Sequence, residues 1–392
     1  MTGLFTPTGA DAEARRRIAL RGPLTFAEFM EVALYWPDGG YYASRRSFGP
    51  LGDFYTAPLA HPVFGALVAR QLLTMWRALG SPAPFNVIEA GAGDGTLSLD
   101  VVEHARILEG GLTDALEYTA VDLREPPSDF PSRWIRSGSV PALGGSGVVL
   151  ANELLDAMPL HRVTLEGGQL RELFVDAAPE GGFVEVTGEP STPALAERLD
   201  SLGVTLSEGF RTEVNLASAA WLTETFAAIE RGYLLLVDYG HEAAVYYDES
   251  RRAGTLRCYS GHTLGMNPYF GVGRQDISAH VEFTSVRSAA IAAGVAEAGE
   301  MSQAEWLRSL GIDGYRAEVA ERSGLGRVER MANLHGMDVL VDSEGMGGFR
   351  VLAFAKDSPA VGVLGANPPE SPSAPLAGTR HMPFGAEGGW GR

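Results

Sequence analysis

The chain has 392 residues and a formal net charge of −18, because 49 acidic residues outnumber 31 basic ones. With 45% apolar residues it is long enough for one large α/β domain or two smaller ones, which argues against global disorder. The absence of a basic cluster disfavours nucleic acids and anionic membranes as partners, and a single lysine (Lys356) and a single cysteine (Cys258) exclude Schiff-base chemistry in the core, disulfide pairs and cysteine zinc sites.

The first predicted elements are helical. Residues 1–20 are expected to be a flexible lead-in, without the apolar stretch of a secretory signal. The segment TFAEFMEVALYWP predicts a helix with Thr25 as N-cap and Pro37 as its stop. A loop rich in glycine and aromatic residues then leads to a second helix, HPVFGALVARQLLTMWRALG. We interpret residues 21–84 as an N-terminal helical cap.

Apolar strands alternate with helices through residues 85–357. The segments FNVIEA, EYTAVDL, GVVLAN and YLLLVD predict buried strands of a mainly parallel sheet with helices on both faces. Insertions are expected at about 160–212 and 242–345, and the first of these contains β-hairpins because short strands alternate there with glycine turns. Residues 358–392 contain 6 Pro and 7 Gly and predict a disordered tail.

The segment IEAGAGDGT carries three glycines at alternate positions after the first strand. Gly91, Gly93 and Gly95 suit a tight turn that lets a ligand approach the backbone at a helix N-terminus. The spacing is GxGxG, whereas most dinucleotide-binding folds carry GxGxxG, so a dehydrogenase is disfavoured. The alternative interpretation is a tight strand-to-helix connection without a ligand.

Acidic and amide side chains follow the neighbouring strands. Glu89 precedes the glycine turn, and Asp122 ends the next strand, where it could accept hydrogen bonds from both hydroxyls of a ribose or simply cap a turn. Asn152, Glu153 and Asp156 follow the third strand, where helix capping is the alternative role. The segment DYGH, Asp238 to His241, ends the most apolar strand and occupies the same edge.

Taken together, these motifs resemble the MidA-like family of class I methyltransferases, which includes a protein-arginine methyltransferase of mitochondrial complex I assembly. The resemblance is carried by segments that include GDFYTAP, IEAGAGDGTL, ANELLDAMPLHR, LLLVDYGH and RQDISAHVEF, and it spans about residues 21–357. The glycine loop is shared by many methyltransferases, whereas GDFYTAP together with ANELLDAMP and DYGH is far more distinctive. It implies a Rossmann-like α/β fold and S-adenosyl-L-methionine as the methyl donor, released as S-adenosyl-L-homocysteine. It also implies that the N-terminal cap contributes to the active site.

The resemblance assigns a set of cofactor-binding residues. These are Glu89, Gly91, Gly93, Gly95, Asp122, Leu123, Asn152, Glu153, Asp53, Phe54, Thr56 and Pro58. The family commonly has an acid after the proline of this last segment, and here Leu59 stands there, which is expected to remove a carboxylate from the edge of the site. No metal is expected.

The resemblance favours methylation of an arginine side chain on a partner protein, and the acidic surface suits such a cationic target. Because guanidinium is protonated in water, carboxylates must orient it and help remove a proton. Glu153, Asp156 and Asp238 are the candidates, with His241 as a base. The alternatives are a methyltransferase for a small molecule or peptide, and an assembly factor that binds the cofactor without turnover. We expect a cytoplasmic protein, with a homodimer as an option.

Overall fold

The computed structural model describes residues 8–43, 56–108, 110–142, 145–228, 230–260, 263–265, 267–365, 373–378 and 381. The helices are α1 Gly9–Arg21, α2 Phe26–Tyr35, α3 Ala57–Ala60, α4 Val63–Ala78, α5 Thr96–Ala105, α6 Leu112–Ala115, α7 Ala194–Ser201, α8 Ala217–Ala228, α9 Ala243–Tyr246, α10 Phe283–Ala292, α11 Gln303–Leu310, α12 Ile312–Glu321 and α13 Arg327–Val341. Short 3-10 helices cover Glu249–Arg251 and Met346–Gly348.

The strands are β1 Leu24–Thr25, β2 Phe85–Ala90, β3 Leu116–Asp122, β4 Arg133–Arg136, β5 Ser146–Asn152, β6 His161–Glu166, β7 Gln169–Ala177, β8 Phe183–Gly188, β9 Arg211–Val214, β10 Arg231–Asp238, β11 Gly240–His241, β12 Arg257–Ser260, β13 Thr263–Gly265, β14 Asp276–Ser278, β15 Val281–Glu282, β16 Ala296–Ser302 and β17 Arg350–Lys356. Two compact units interleave along the chain. The first takes its described residues from 1–47, 155–221 and 240–288, and the second takes them from 48–154, 222–239 and 289–392.

The second unit contains the predicted parallel sheet. Among its described residues, seven strands follow the order β16-β17-β10-β5-β2-β3-β4. The five strands from β10 to β4 run parallel, whereas β17 is antiparallel to both of its neighbours. The chain leaves β2 toward β3 on one side and returns to β5 on the other, which makes a topological switch point between β2 and β5. The prediction of a mainly parallel α/β sheet is confirmed.

Helices cover both faces of this sheet because the central strands are apolar on both sides. On one face, Val87 and Val148 belong to a buried cluster that also contains the apolar side of α4. On the other face, Phe226 of α8 packs edge-on against Phe354 of β17, with ring centroids 6.1 Å apart. Leu235 at the centre of β10 is fully buried, as expected for a strand covered from both sides.

The first unit is built around an antiparallel sheet with the order β1-β7-β6-β9, and β8 also pairs with β7. β6 and β7 form a hairpin whose turn residues, Gly167 and Gly168, have φ angles of 59° and 73°. This confirms the predicted hairpin insertion. Helix α2 begins with a capping box in which Thr25 Oγ1 accepts from Glu28 N, and the Glu28 carboxylate accepts from Thr25 N.

The structure differs from the predictions at both ends of the chain. Residues 9–20 of the expected flexible lead-in belong to α1, whose Ala14 is fully buried. In the expected disordered tail, Val363, Leu364, Ala374 and His381 are buried. The described residues of this segment form no helix or strand, yet the apolar side chains among them are buried, because a segment rich in Pro and Gly can pack without regular structure.

The predicted boundaries of the helical cap also differ from the compact units. Helices α1 and α2 belong to the first unit, whereas α3 and α4 belong to the second unit together with the parallel sheet. The face of α4 that the sequence marked as apolar is therefore part of the core of the sheet unit. Within the described part of the chain, no helix is both long enough and apolar enough to cross a membrane.

Candidate active site

Three loops meet at the carboxyl edge of the parallel sheet. Strands β2, β3 and β5 end in register, because Ala90 pairs with Val121 on one side and with Ala151 on the other. The glycine turn after β2 therefore lies between the loops that follow β3 and β5, at the switch point where open α/β sheets bind ligands. Asp122 and Asn152 are the last residues of those two neighbouring strands.

The glycine turn needs glycine for conformation and for space. Gly91, Gly93 and Gly95 have φ angles of 72°, 64° and 80°. A Cβ on Gly95 would lie 2.5 Å from Cε2 of Phe130, and a Cβ on Gly91 would lie 2.8 Å from Cδ1 of Leu154. These positions combine left-handed backbone with close neighbours, which side chains other than glycine do not tolerate. The turn leads directly into the N-terminus of α5.

The Asp122 carboxylate joins the glycine turn to the loop after β3. Its Oδ2 accepts the Gly93 N–H at 2.8 Å, and its Oδ1 accepts the backbone N–H and Nε–H of Arg124 at 2.9 and 3.1 Å. A carboxylate has roughly four acceptor positions, so these donors leave room for a further donor such as a hydroxyl. The loop-capping role and the ligand-binding role considered for Asp122 are therefore compatible.

Glu89 lies in the interior of the unit, where it is 3% exposed. Its Oε2 accepts from Ser98 Oγ on α5 and, at 2.8 Å, from Tyr118 OH on β3. Burial raises the pKa of Glu89 to about 7, and the nearby charges of Asp94 and Asp122 act in the same direction. The carboxylate thus links the three elements β2, β3 and α5 that surround the glycine turn, which differs from the direct cofactor contact expected from the sequence.

Asn152 and Glu153 form a connected pair at the end of β5. Glu153 has a φ angle of 49°, and its N–H donates to Val237 O of β10 at 2.8 Å. Its Oε1 accepts from Asn152 Nδ2 at 3.0 Å and from Ala57 N, the first residue of α3, also at 3.0 Å. Asn152 Oδ1 is buried and has no hydrogen-bond partner among the described residues.

Half of the expected contacts from the GDFYTAP segment can be placed. Asp53 and Phe54 lie outside the described residues. Thr56 precedes α3 and Pro58 is buried within it. Leu59 is 2% exposed and belongs to the main apolar core, so its position faces the interior. The expectation that Leu59 removes a carboxylate from the edge of the site is therefore not supported.

The predicted catalytic residues are distributed over both compact units. Glu153 and Asp238 belong to the second unit, where Asp238 is fully buried and its Oδ1 accepts the N–H of Tyr239 at 2.9 Å. Asp156 and His241 belong to the first unit. The carboxyl edge of the parallel sheet thus brings together Asp122, Asn152, Glu153 and Asp238.

The first unit has its own cluster of polar and aromatic residues. Tyr42 donates to Asp276 Oδ1 at 2.7 Å, and its ring stacks on Tyr35 with centroids 5.4 Å apart. Burial raises the pKa of Tyr42 well above its ordinary value, and the charges of Asp276 and Asp156 act in the same direction.

His241 lies in the first unit beside a second histidine. Its ring is 5.0 Å from that of His280, whose pKa is lowered to about 4, mainly by burial. At neutral pH the imidazole of His280 is therefore uncharged and does not repel a protonated His241.

Several residues at the site escaped the sequence analysis. Arg124, Phe130 and Leu154 contact the glycine turn or Asp122, and Ser98 and Tyr118 hold Glu89. Most of these residues are apolar or lie one or two positions after a motif. Residues of these types are common in any core or loop, so nothing in the sequence marks them as part of a site. Arg124 is the exception, because a cation two residues after an acid at a strand end is a signal that could have been read.

Comparison with known proteins decides the family. The family described as an S-adenosyl-L-methionine-dependent methyltransferase matches residues 67–301, which is more than half of the chain. The chain belongs to this family. The methyltransferase is 30% identical, over 70% of its length and 68% of the relative's, to the mitochondrial protein arginine methyltransferase NDUFAF7 homolog of Drosophila melanogaster. The human NDUFAF7 is 28% identical, over 84% of this chain and 79% of that protein.

A solved structure of a similar protein identifies the cofactor. A Burkholderia thailandensis protein crystallised with S-adenosyl-homocysteine has 30% sequence identity and a TM-score of 0.79, covering 91% of the methyltransferase and 96% of that chain. A native crystal structure of a protein from the same organism gives a TM-score of 0.76 at 30% identity. The predicted fold class, enzyme class and methyl donor are confirmed.

The predicted cytoplasmic localisation is contradicted by these relatives. The NDUFAF7 proteins of fly and human are named as mitochondrial. The prediction relied mainly on the first 20 residues, which lack the apolar stretch of a secretory signal. The composition of so short a segment is a weak guide to the compartment in which a folded enzyme acts.

Proposed function

We propose that the methyltransferase transfers a methyl group to an arginine side chain of a partner protein. The observation that carries this proposal is its similarity to relatives named as protein arginine methyltransferases, over 70% of the chain for the fly protein and 84% for the human one. S-adenosylmethionine, when bound, supplies an electrophilic methyl group on a sulfonium. The work left to the protein is to hold the donor, orient the acceptor and remove its proton.

The residues at the carboxyl edge fit this cofactor. Asp122 retains acceptor capacity beside the glycine turn, which suits the hydroxyls of a ribose. Asn152 Oδ1 is a buried acceptor without a partner among the described residues, which suits the ammonium group of the methionine portion. We assign the cofactor to the glycine turn, Asp122, Leu123 and Asn152, with Thr56, Pro58, Asp53 and Phe54 contributing from the preceding segment.

Acceptor chemistry requires carboxylates, because an arginine side chain must lose a proton as its nitrogen gains the methyl group. Asp238, fully buried at the carboxyl edge of the parallel sheet, keeps its proposed role in orienting the guanidinium. Asp156, 9% exposed, and His241 belong to the first unit, and their roles as an orienting carboxylate and as a base stay predictions from the sequence. The support for His241 is its nearness to an uncharged His280.

Calorimetry with S-adenosylhomocysteine tests the donor site. Replacing Asp122 with alanine removes a charged acceptor, so we expect the Kd to rise by about tenfold or more. Glu125→Ala is the matched control, because that exposed carboxylate pairs only with Arg136 among the described contacts. Unchanged affinity in Asp122→Ala would refute the assignment.

Mass spectrometry of methylarginine in cells with and without the gene tests the acceptor. The proposal predicts at least one arginine whose methylation disappears with the gene and returns with the wild-type protein but not with Asp122→Ala. An unchanged set of methylarginines would refute protein-arginine methylation. Consumption of the donor on a small molecule or peptide would then identify the alternative substrate class, and binding without consumption would indicate an assembly factor.

A further inference from the structure

Glu153 has a backbone conformation that few side chains adopt. Its φ angle of 49° lies in the left-handed region, which is costly for residues other than glycine. The conformation is held by the N–H of Glu153, which donates to Val237 O at the end of β10. Strained residues of this kind persist where the surrounding structure fixes them, and they concentrate at functional sites.

The Glu153 carboxylate caps α3. Its Oε1 accepts the N–H of Ala57, the first residue of that helix, at 3.0 Å. Thr56, the N-cap residue, makes no side-chain capping bond within the described residues, so Glu153 satisfies a helix donor that the local sequence leaves open. All four residues of α3 are buried, and Ala57, Leu59 and Ala60 are at most 2% exposed, so the helix is fixed both at its first residue and by its packing.

The same oxygen sets the orientation of Asn152. The Nδ2 group of Asn152 must face Glu153 Oε1, 3.0 Å away, because that oxygen is an acceptor. The amide oxygen consequently points the other way, where it is buried without a partner among the described residues. If Glu153 lost its acceptor, the Asn152 amide would be free to rotate and present either end.

We infer that Glu153 is a positioning residue for the cofactor site: it fixes the start of α3 and the orientation of the Asn152 amide. It does not take the proton from the arginine side chain that receives the methyl group. The inference replaces the catalytic role predicted for Glu153 and rests on the proposed contact between Asn152 and the cofactor. The hydrogen bonds from Ala57 N and Asn152 Nδ2 both end on Glu153 Oε1. Positioning therefore needs a hydrogen-bond acceptor at that place, and it does not need a carboxylate that can take up a proton.

Three variants separate positioning from proton transfer. Glu153→Gln keeps an acceptor oxygen at the same reach, so we expect the Kd for S-adenosylhomocysteine to stay within about twofold of wild type. Glu153→Ala removes the acceptor, and Glu153→Asp keeps the charge but shortens the side chain by one methylene, so both should raise the Kd by about tenfold. Asp tolerates a left-handed φ, which makes Glu153→Asp decisive even if Glu153→Ala does not fold.

A double variant tests the route through Asn152. If Glu153 acts by orienting that amide, Asn152→Ala combined with Glu153→Asp should bind S-adenosylhomocysteine little worse than Asn152→Ala alone. Wild-type affinity in Glu153→Asp, or a loss in Glu153→Gln as large as in Glu153→Asp, would overturn the inference. These are binding measurements, so failure to find an arginine substrate would refute the proposed function without affecting this result.

Discussion

Glu89 is a carboxylate kept away from water beside the glycine turn. Ser98 and Tyr118 donate to its Oε2, and burial raises its pKa from 4.5 to about 7. Tyr118 responds in the same way, because burial and the nearby Glu89 charge raise its pKa well above the ordinary value. The order around the turn therefore depends on a group that exchanges its proton near neutral pH.

This raised pKa predicts a pH-dependent stability. Between about pH 4.5 and about pH 7 the unfolded chain releases the Glu89 proton while the native protein retains it, so the free energy of unfolding falls as pH rises. Glu89→Gln keeps an acceptor oxygen and cannot ionise, so its stability relative to wild type should improve by on the order of 1–3 kcal/mol from pH 5 to pH 8. Urea unfolding at both pH values measures the difference.

Glu125→Gln, at an exposed carboxylate, is the control for that experiment and should show no comparable change with pH. Equal pH dependence in wild type and Glu89→Gln would show that Glu89 is ionised in both states at ordinary pH. Such a result would also show that the pKa of Glu89 is not raised by burial beside the glycine turn.

At the scale of elements, the described residues of the C-terminal segment are tied to the sheet unit by side chains from several helices. Gln71 of α4 donates to Val363 O at 2.6 Å and accepts from Gly365 N at 2.9 Å. Further along, His381 Nε2 lies 2.9 Å from Asp100 Oδ2 of α5, and both side chains are at most 3% exposed. Since α5 begins at the glycine turn, the segment contacts the same helix that carries the cofactor loop.

We expect His381→Ala to destabilise the protein by on the order of 1–3 kcal/mol, because it removes a buried hydrogen bond to a carboxylate. The thermal midpoint of unfolding measures the loss. His335→Ala removes an exposed histidine of α13 and serves as the matched control. An unchanged midpoint in His381→Ala would mean that this contact is not populated in solution.

Elements differ in how well their residues reveal them. The central strands β2, β3, β5 and β10 were predicted because they are buried on both faces and read as continuous apolar runs. The edge strands β4 and β16 were not predicted, since their sequences, RWIR and AEAGEMS, are partly exposed and mostly polar or small. An edge strand is stabilised by backbone pairing on one side, which leaves little trace in side-chain type.

At the scale of the whole molecule, the net charge of −18 bears on how an acceptor is recruited. An acidic surface attracts a cationic protein segment from a distance, and dissolved salt weakens this attraction by screening it. We expect the KM for the acceptor protein identified by mass spectrometry to rise at least about threefold when salt increases from about 50 to about 300 mM. Labelled-methyl transfer from S-adenosylmethionine measures it.

The affinity for S-adenosylhomocysteine, which carries no net charge, should change less than about twofold over the same range and is the internal control. If the acceptor KM were independent of salt, the surface charge would have no part in recruitment. Recognition would then depend on short-range contacts alone.

The amino-acid sequence by itself determined the strand-and-helix alternation, the glycine turn, the acid that ends β3 and the polar pair at the end of β5. These are local features, in which residue type follows from burial or from a demand on φ. Only the tertiary structure decided that Glu89 is internal, that Leu59 belongs to the core, and that Glu153 caps a helix 96 residues earlier in the chain. Such contacts join distant segments, and their geometry is set by how the elements pack, which no local pattern of residues encodes.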